Sequence, residues 1–265
     1  MMGRGRRERI PVKGPRELEL MREAARHVGE ILLLVRQKVA PGVTTRELDE
    51  VAQKAIAERG VESSFKGYDP HGLPPYPGFL CVSVNDEIVH GIPGSRELAD
   101  GDIVSVDFGV SVEGYHGDSA VTVPVGRISE EAERLLAVTS QCLEDAMERM
   151  VPGARLSDLG FAVQQRAEGA GFDVVREFAG HGIGQSLHEA PWIPNYGKPG
   201  RGPRLEAGMV LAVEPMVVSG RADVRMLDDE WTAVTSDGSL AAHFEHTILV
   251  TEEGGEPLTR VAGSH

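Results

Sequence analysis

Leu98-Ala99-Asp100-Gly101-Asp102-Ile103-Val104-Ser105-Val106-Asp107 has a counterpart 107 residues further on, Leu205-Glu206-Ala207-Gly208-Met209-Val210-Leu211-Ala212-Val213-Glu214. Each opens on leucine, passes a glycine turn, runs through four mostly apolar residues and closes on a carboxylate. Two more pairs keep the same order. Pro41-Gly42-Val43-Thr44-Thr45-Arg46-Glu47-Leu48 matches Pro152-Gly153-Ala154-Arg155-Leu156-Ser157-Asp158-Leu159 at an offset of 111, and His116-Gly117-Asp118 matches His243-Phe244-Glu245 at 127. Three matches in one order, with slowly drifting spacing, describe two related halves. Chance similarity of helix–turn–strand units is the alternative.

Working outward, residues 15–37 carry Leu18, Met21, Ala25, Val28, Ile31, Leu32 and Val35 at helical spacing, and the Pro41-Gly42 turn stops the pattern. A second helix runs from about Thr45, capped by Thr44 or Thr45, to Gly60. Strand-like segments follow near 80–90, 103–112 and 119–125. The second half repeats the order, with helices near 129–150 and 155–170 and strands near 173–178, 209–219, 231–236 and 243–251. Segregated helices and strands with hairpin-like turns predict an α+β fold with a largely antiparallel sheet. The expected organisation is a basic, flexible tail over 1–14, one domain over 15–256 with halves at about 15–126 and 127–256, and a C-terminal tail over 257–265.

The 265 residues are 41% hydrophobic and 26% charged, the balance of a globular chain able to bury a large core. A net charge of −14 argues against a nucleic-acid binder. The charge is uneven: Arg4, Arg6, Arg7, Arg9, Lys13 and Arg16 face only Glu8 within the first 16 residues, leaving −19 for the other 249. Such a tail reads as a solvated terminus, with transient contact to an anionic surface as the other reading. Cys81 and Cys142 are too few for a disulfide framework, and no apolar run is long enough to be a secretion signal or span a bilayer, so a cytoplasmic protein is expected.

The chemistry sits where polar residues disagree with their neighbours. Asp107 and Glu214 close apolar strands, and the repeat pairs them with Asp118 and Glu245. The turn expected at Glu113-Gly114 would fold Asp107 and Asp118 side by side. Four converging carboxylates repel, so positive charge must sit among them, and a pair of divalent cations is the economical choice. Taken singly, each acid is as easily a surface residue or an ion-pair partner. Three histidines stand in Gly- or Pro-bounded stretches: His90 before Gly91-Ile92-Pro93-Gly94, His181 within Gly180-His181-Gly182-Ile183-Gly184, and His188 before Glu189-Ala190-Pro191. The run over 180–184 reads as a glycine-rich turn, and it lacks the features of a phosphate loop. Carboxylates with an imidazole suit Mn, Fe or Co, and Zn also.

These residues together resemble the type I methionine aminopeptidases of the pita-bread fold, from about Ile10 to Glu256. The likeness rests on Val84-Asn85-Asp86-Glu87-Ile88-Val89-His90-Gly91-Ile92-Pro93, Val106-Asp107, His116-Gly117-Asp118, Gly180–Gly184, His188-Glu189, Glu214-Pro215-Met216 and Phe244-Glu245-His246-Thr247. The resemblance implies a pita-bread fold, two pseudo-symmetric halves sharing a curved sheet with helices outside. It implies two divalent ions (Co, Mn, Fe or Zn) on Asp107, Asp118, His181, Glu214 and Glu245, with Asp118 and Glu245 bridging. It further implies an activated water attacking the first peptide bond, Glu214 as proton shuttle, and His90 and His188 facing that bond. The substrate would be the initiator methionine of nascent chains with a small second residue. The methionine pocket would include Tyr76, Cys81, Leu187 and Trp231. A monomer with transient ribosome contact, but no specific nucleic acid and no membrane, completes the expectation.

Three positions depart from the family pattern. Between Tyr68 and Tyr76 the chain has about five extra residues, so the first pocket aromatic is either Tyr68 on a longer loop or Leu73 in its place. With Pro70, Pro74 and Pro75, that segment should form an ordered rim. Leu187 replaces a usual Phe or Met, and His243 stands where Gln is common. The rival readings are a Xaa-Pro-type pita-bread peptidase and a non-catalytic binding module of the same fold. The first usually carries a further N-terminal domain, and the second typically loses metal ligands.

Overall fold

Gly14 and Pro15 start the first helix: the Gly14 N–H donates to Glu17 Oε2 at 2.7 Å, and proline occupies the first turn, where no N–H is needed. The computed structural model describes residues 10–70, 72 and 74–262. The first half contains α1 (Pro15–Lys38), α2 (Thr45–Arg59), β1 (Glu62–Ser63), β2 (Cys81–Val84), β3 (Glu87–Val89), β4 (Ile103–Val112) and β5 (Tyr115–Pro124). The second contains α3 (Glu130–Glu148), α4 (Leu156–Gly169), β6 (Asp173–Val174), β7 (Ala179–Gly182), β8 (Glu189–Pro194), β9 (Val210–Val213), β10 (Met216–Val218), β11 (Val224–Met226), β12 (Ala233–Thr235), β13 (Ala241–His243), β14 (His246–Val250) and β15 (Gly255–Pro257). The fold is α+β, and the pairings between these strands are antiparallel.

The internal repeat has a hydrogen-bonded counterpart in each half. Gly42 N–H donates to Leu98 O at 2.7 Å and Gly153 N–H to Leu205 O at 2.8 Å. Leu98 N–H returns to Val43 O, and Leu205 N–H to Ala154 O, both at 2.9 Å. Gly42 and Gly153 hold φ of 85° and 89°, a left-handed turn that a side chain would strain. Each turn thereby docks the start of a helix, α2 or α4, onto the leucine that leads into a carboxylate strand. Thr44 is the cap of α2: Glu47 N–H donates to Thr44 Oγ1 at 3.2 Å while Glu47 Oε2 accepts from Thr44 N–H at 2.7 Å.

Each pair of helices covers its own core. Val28, Ile31 and Val35 of α1 join Leu48 and Ala52 of α2 over Val82, Val104, Val106 and Phe108. Leu135, Cys142 and Ala146 of α3 join Leu159 and Val163 of α4 over Leu211, Val213 and Val217. Cys142 is thus a core residue.

The strands differ from the sequence reading in three ways. Strand β4 spans the expected 103–112, but β5 begins at Tyr115 rather than near 119, so the hairpin ladder runs unbroken to the turn at 113–114. Asp107 and Asp118 therefore lie within strands rather than at their ends. The expected strand over 209–219 breaks at Glu214-Pro215, since proline has no N–H for a ladder. Most clearly, 180–182 is not a turn but part of β7. A side chain at Gly180 would sit 2.5 Å from Ala212 O, and one at Gly182 2.2 Å from Ala190 O, so these glycines let β8 and β9 close in on either side of His181.

The ends also pack more than tails do. Ile10 is buried against the second-half core, and buried Lys13 pairs with Glu189. Leu258 and Thr259 are buried, and Arg260 pairs with Glu144. The rest of the basic N-terminal stretch, residues 1–9, lies outside the described residues, as do residues 263–265.

Candidate active site

The register of β4 and its neighbours places the first two carboxylates. Asp107 pairs with Ala120 and Gly109 with Asp118, so the two acids are diagonal neighbours on one face, with small residues completing the square. Cys81 lies opposite Asp107 from the other side. In the second half, Glu214 and Glu245 sit just beyond the paired residues Val213 and His246 of β9 and β14. His181 lies next in that row, opposite Ala212. The Glu245 N–H donates to Ala120 O at 2.9 Å, which brings the second pair of acids onto the first.

Asp107, Asp118, His181, Glu214 and Glu245 thus line one cavity of about 840 Å³. Donor atoms of Asp118, His181 and Glu245 all lie within 4.8 Å of one another. Glu214 Oε1 stands 3.6 Å from His181 Nε2. Asp107 Oδ1, Asp118 Oδ1 and Glu245 Oε1 are buried with no hydrogen-bond partner. Unpaired buried carboxylate oxygens are costly, and a cation is what would satisfy all three at once. The residues therefore fit a divalent metal centre.

Electrostatics agree with that reading. Burial pushes the carboxyls of Asp107, Glu214 and Glu245 well above their usual range, and the neighbouring acids push them further. Asp118 is raised to about 7, mainly by burial. The imidazoles move the other way: burial, then His188, lowers His181 to about 3. His181 is thus neutral at pH 7. Its Nδ1 donates to Gly182 O at 2.9 Å, which leaves the Nε2 lone pair facing the carboxylates, the tautomer a metal ligand needs.

His90 and His188 line the same cavity. Both are lowered to about 4, His90 by burial and then by His188, and His188 by burial and then by His116. His90 meets the edges of Phe178 and Trp231, with ring centroids 5.5 and 6.1 Å away. His188 packs on His181 at 4.3 Å, and its Nδ1 lies 2.5 Å from the Tyr68 hydroxyl.

The four expected pocket residues come together. Tyr76, Cys81, Leu187 and Trp231 are buried in one cluster with Phe65 and line the cavity. The Tyr76 hydroxyl lies 3.0 Å from Leu80 O and 2.8 Å from Gly91 O, so it also fixes the backbone on either side of β2 and β3. Burial holds the Cys81 thiol well above its usual range, so it stays protonated. The extended segment before Tyr76 closes at its base through Tyr76 N–H to Tyr68 O at 2.9 Å, and Trp231 Nε1–H donates to Pro74 O at 2.9 Å. Tyr68 stands in the cavity wall. Leu73, the other candidate for that place, lies outside the described residues with His71.

Three features of the site escaped the sequence reading of candidate residues. His243 is 1% exposed, lines the cavity, and has an unpartnered Nε2 at 3.6 Å from Glu214 and 3.9 Å from Glu245. Its match to His116 in the repeat was the available signal. The Tyr68–His188 contact and the Lys13–Glu189 pair, at 2.6 Å beside His188, had none.

With this geometry in hand, comparison with known proteins is direct. The profile of metallopeptidase family M24 matches residues 19–252. The chain belongs to family M24. Within it, methionine aminopeptidase 1 of Bacillus subtilis (strain 168) is 52% identical over 252 residues, covering 95% of this chain and all of the relative. The crystal structure of the methionine aminopeptidase of Thermotoga maritima superposes with a TM-score of 0.92 at 45% identity, over 96% of this chain and 100% of that one. The prolidase of Pyrococcus furiosus shares the fold, with a TM-score of 0.74 at 21% identity over 94% of this chain and 65% of its own. These likenesses agree with the pita-bread architecture expected from the motifs. No helix among the described residues of this M24 chain is long and apolar enough to cross a membrane.

Proposed function

We propose that the chain is a methionine aminopeptidase that releases the first residue of polypeptides beginning with methionine and a small second residue. The observation that carries this reading is the convergence of five ligand-type side chains, four buried and Glu214 half-buried, on one cavity that is also lined by aromatic and sulfur-bearing side chains. The similarity to enzymes of that name over nearly the whole chain supports it. Asp107, Asp118, His181, Glu214 and Glu245 would hold two divalent ions, which would supply a lowered pKa for water and polarisation of the scissile carbonyl.

The chain's own groups do the rest. Tyr76, Cys81, Leu187 and Trp231, with Phe65, receive the methionine side chain, a soft thioether suited to aromatic and sulfur contacts. Glu214 moves the proton from water to the leaving amine, and His243 Nε2 stands beside its Oε2. His188 and Tyr68 form a relay of orientation. Burial and the charge of Asp118 hold the Tyr68 phenol above its ordinary pKa, so it stays protonated and donates to Nδ1 of neutral His188. The remaining imidazole proton then sits on Nε2, free to donate to the oxyanion. His90, pinned between Phe178 and Trp231, hydrogen-bonds at the scissile bond. We further propose that the enzyme works as a cytoplasmic monomer on nascent chains, with the basic first residues touching the anionic ribosome surface. Salt-sensitive co-sedimentation with ribosomes, lost on removing residues 1–9, tests that contact.

The deciding experiment assays metal-free protein reconstituted separately with Mn, Fe, Co and Zn on Met-Ala-Ser and on a Xaa-Pro peptide. Release of methionine from the first alone is expected. Cleavage of the Xaa-Pro peptide instead, or no metal-dependent cleavage of either, overturns the reading.

A further inference from the structure

The chain has two tryptophans, and they are treated oppositely: Trp231 is 6% exposed in the cavity wall, whereas Trp192 is 64% exposed. A large aromatic left in water on the rim of a cleft calls for a physical reason. Its position is specific. Trp192 lies on β8, the outer strand of the sheet ordered β15-β14-β9-β7-β8, and pairs directly with His181 on β7. Directly opposed residues of an antiparallel pair project from the same face, so Trp192 stands on the metal-side face, one strand further out. Its ring also lies 6.3 Å from the His188 ring at a shallow 32°, and it lines the mouth of the same cavity.

We propose that Trp192 is a subsite for the substrate chain beyond the scissile bond, taking a large apolar or aromatic side chain at the third residue of the polypeptide. The proposal rests on the aminopeptidase reading. His188 marks the carbonyl between the first and second residues. An extended chain advances about 3.3 Å per residue, so a ring 6.3 Å from His188 meets the side chain about two residues along, after the small second residue has passed the closed part of the cleft. The occupant cannot be the methionine itself, whose pocket is built from Trp231, Cys81 and Tyr76 deeper in. Exposure also explains how the subsite tolerates many sequences: a flat indole facing water adds contact area for a large residue and excludes no small one.

The test uses the whole metal-loaded enzyme with Met-Ala-Gly-Ser, Met-Ala-Leu-Ser and Met-Ala-Phe-Ser peptides. Wild type is expected to favour Leu and Phe at the third position. Trp192→Ala should lower kcat/KM for the Phe peptide by about 2- to 12-fold, the size of an aromatic contact, and leave the Gly peptide within about 2-fold. Trp192→Phe should restore most of the loss. The effect should fall on KM for Phe. Equal losses on all three peptides in Trp192→Ala, or no third-residue preference in wild type, would overturn the subsite while leaving the aminopeptidase reading intact. Failure of wild type to release methionine from any of them would instead sink that reading.

Discussion

Replacing Tyr68 with Phe tests the least visible part of the proposed chemistry. The substitution keeps the ring, whose centroid lies 5.3 Å from that of His188, and removes only the hydroxyl at 2.5 Å from Nδ1. Under the proposed donation from that hydroxyl to Nδ1, the proton of His188 sits on Nε2. Without it, both neutral tautomers become accessible and the imidazole loses one anchor. A neutral hydrogen bond is worth about 0.5–1.5 kcal/mol net, which corresponds to a fall in kcat of about 2- to 13-fold. His188→Ala removes the oxyanion donor itself, and its expected loss is about 10²–10³ with metal content retained. The informative measurement is the double-mutant cycle on Met-Ala-Ser under saturating substrate. If Tyr68 acts through His188, the double variant is no slower than His188→Ala alone. If Tyr68→Phe costs the same factor in both backgrounds, the hydroxyl works independently and the orientation argument fails.

Other expectations follow from the same geometry. Asp107→Asn should lower bound metal, read by elemental analysis, and cut kcat/KM by at least about 10–100-fold, since even outer partners of metal ligands cost that much; full metal content at an unchanged rate refutes the ligand assignment. Because burial holds the Asp118 carboxyl at about 7 and pushes those of Asp107, Glu214 and Glu245 well above their usual range, protons held by this cluster in metal-free protein must leave on binding. Apparent metal affinity should therefore rise from pH 6 to pH 8, and calorimetry in buffers of different ionisation enthalpy should show proton release at pH 6.5; a heat independent of buffer contradicts it. Lys13→Met leaves the Glu189 carboxylate without its partner and should destabilise the fold by up to about 3 kcal/mol in urea unfolding, with Glu189→Gln added back restoring part of it. Two independent, additive losses would mean the pair contributes nothing.

How much of this was legible depended on whether the signal was local. The carboxylates were legible because the repeat closed two apolar strands on Asp107 and Glu214 and paired each with a second acid, Asp118 or Glu245. The Asp107–Asp118 pair followed from a turn at Glu113-Gly114, which the structure places between β4 and β5. His181 was recognised as a site residue but assigned the wrong backbone. Glycine on both sides reads as a turn, yet Gly180 and Gly182 serve a strand whose neighbours come too close for a Cβ. The single long strand expected over 209–219 hid the break that aims Glu214, although Pro215 was there to mark it. Lys13 belongs to another class. Lys13 meets Glu189 across 176 residues of sequence, and no periodicity or spacing reports a contact of that kind.

The site also lies on a seam where buried hydrogen bonds tie the two halves, and this connects the duplication to the chemistry. The ligand set draws Asp107 and Asp118 from one half and Glu214 and Glu245 from the other, so the seam between β5 and the second-half strands must hold them in register. It does so with hydroxyls that work in both directions. Thr247 Oγ1 accepts from Asp118 N–H at 2.9 Å and donates to Asp118 O at 2.8 Å. Thr122 Oγ1 accepts from His243 N–H at 2.8 Å and lies 2.9 Å from His243 O, while Ser119 Oγ donates to Glu245 O at 2.6 Å. Each of these contacts grips the backbone of a residue whose side chain enters the metal cavity. A slide of one half against the other would break them together in a buried setting, where every polar group left unmade costs about 1–3 kcal/mol. The residues that carry the unsatisfied oxygens of Asp118 and Glu245 are therefore held by hydrogen-bonded backbone, and a cation entering the cavity meets ligands whose main chain is already fixed.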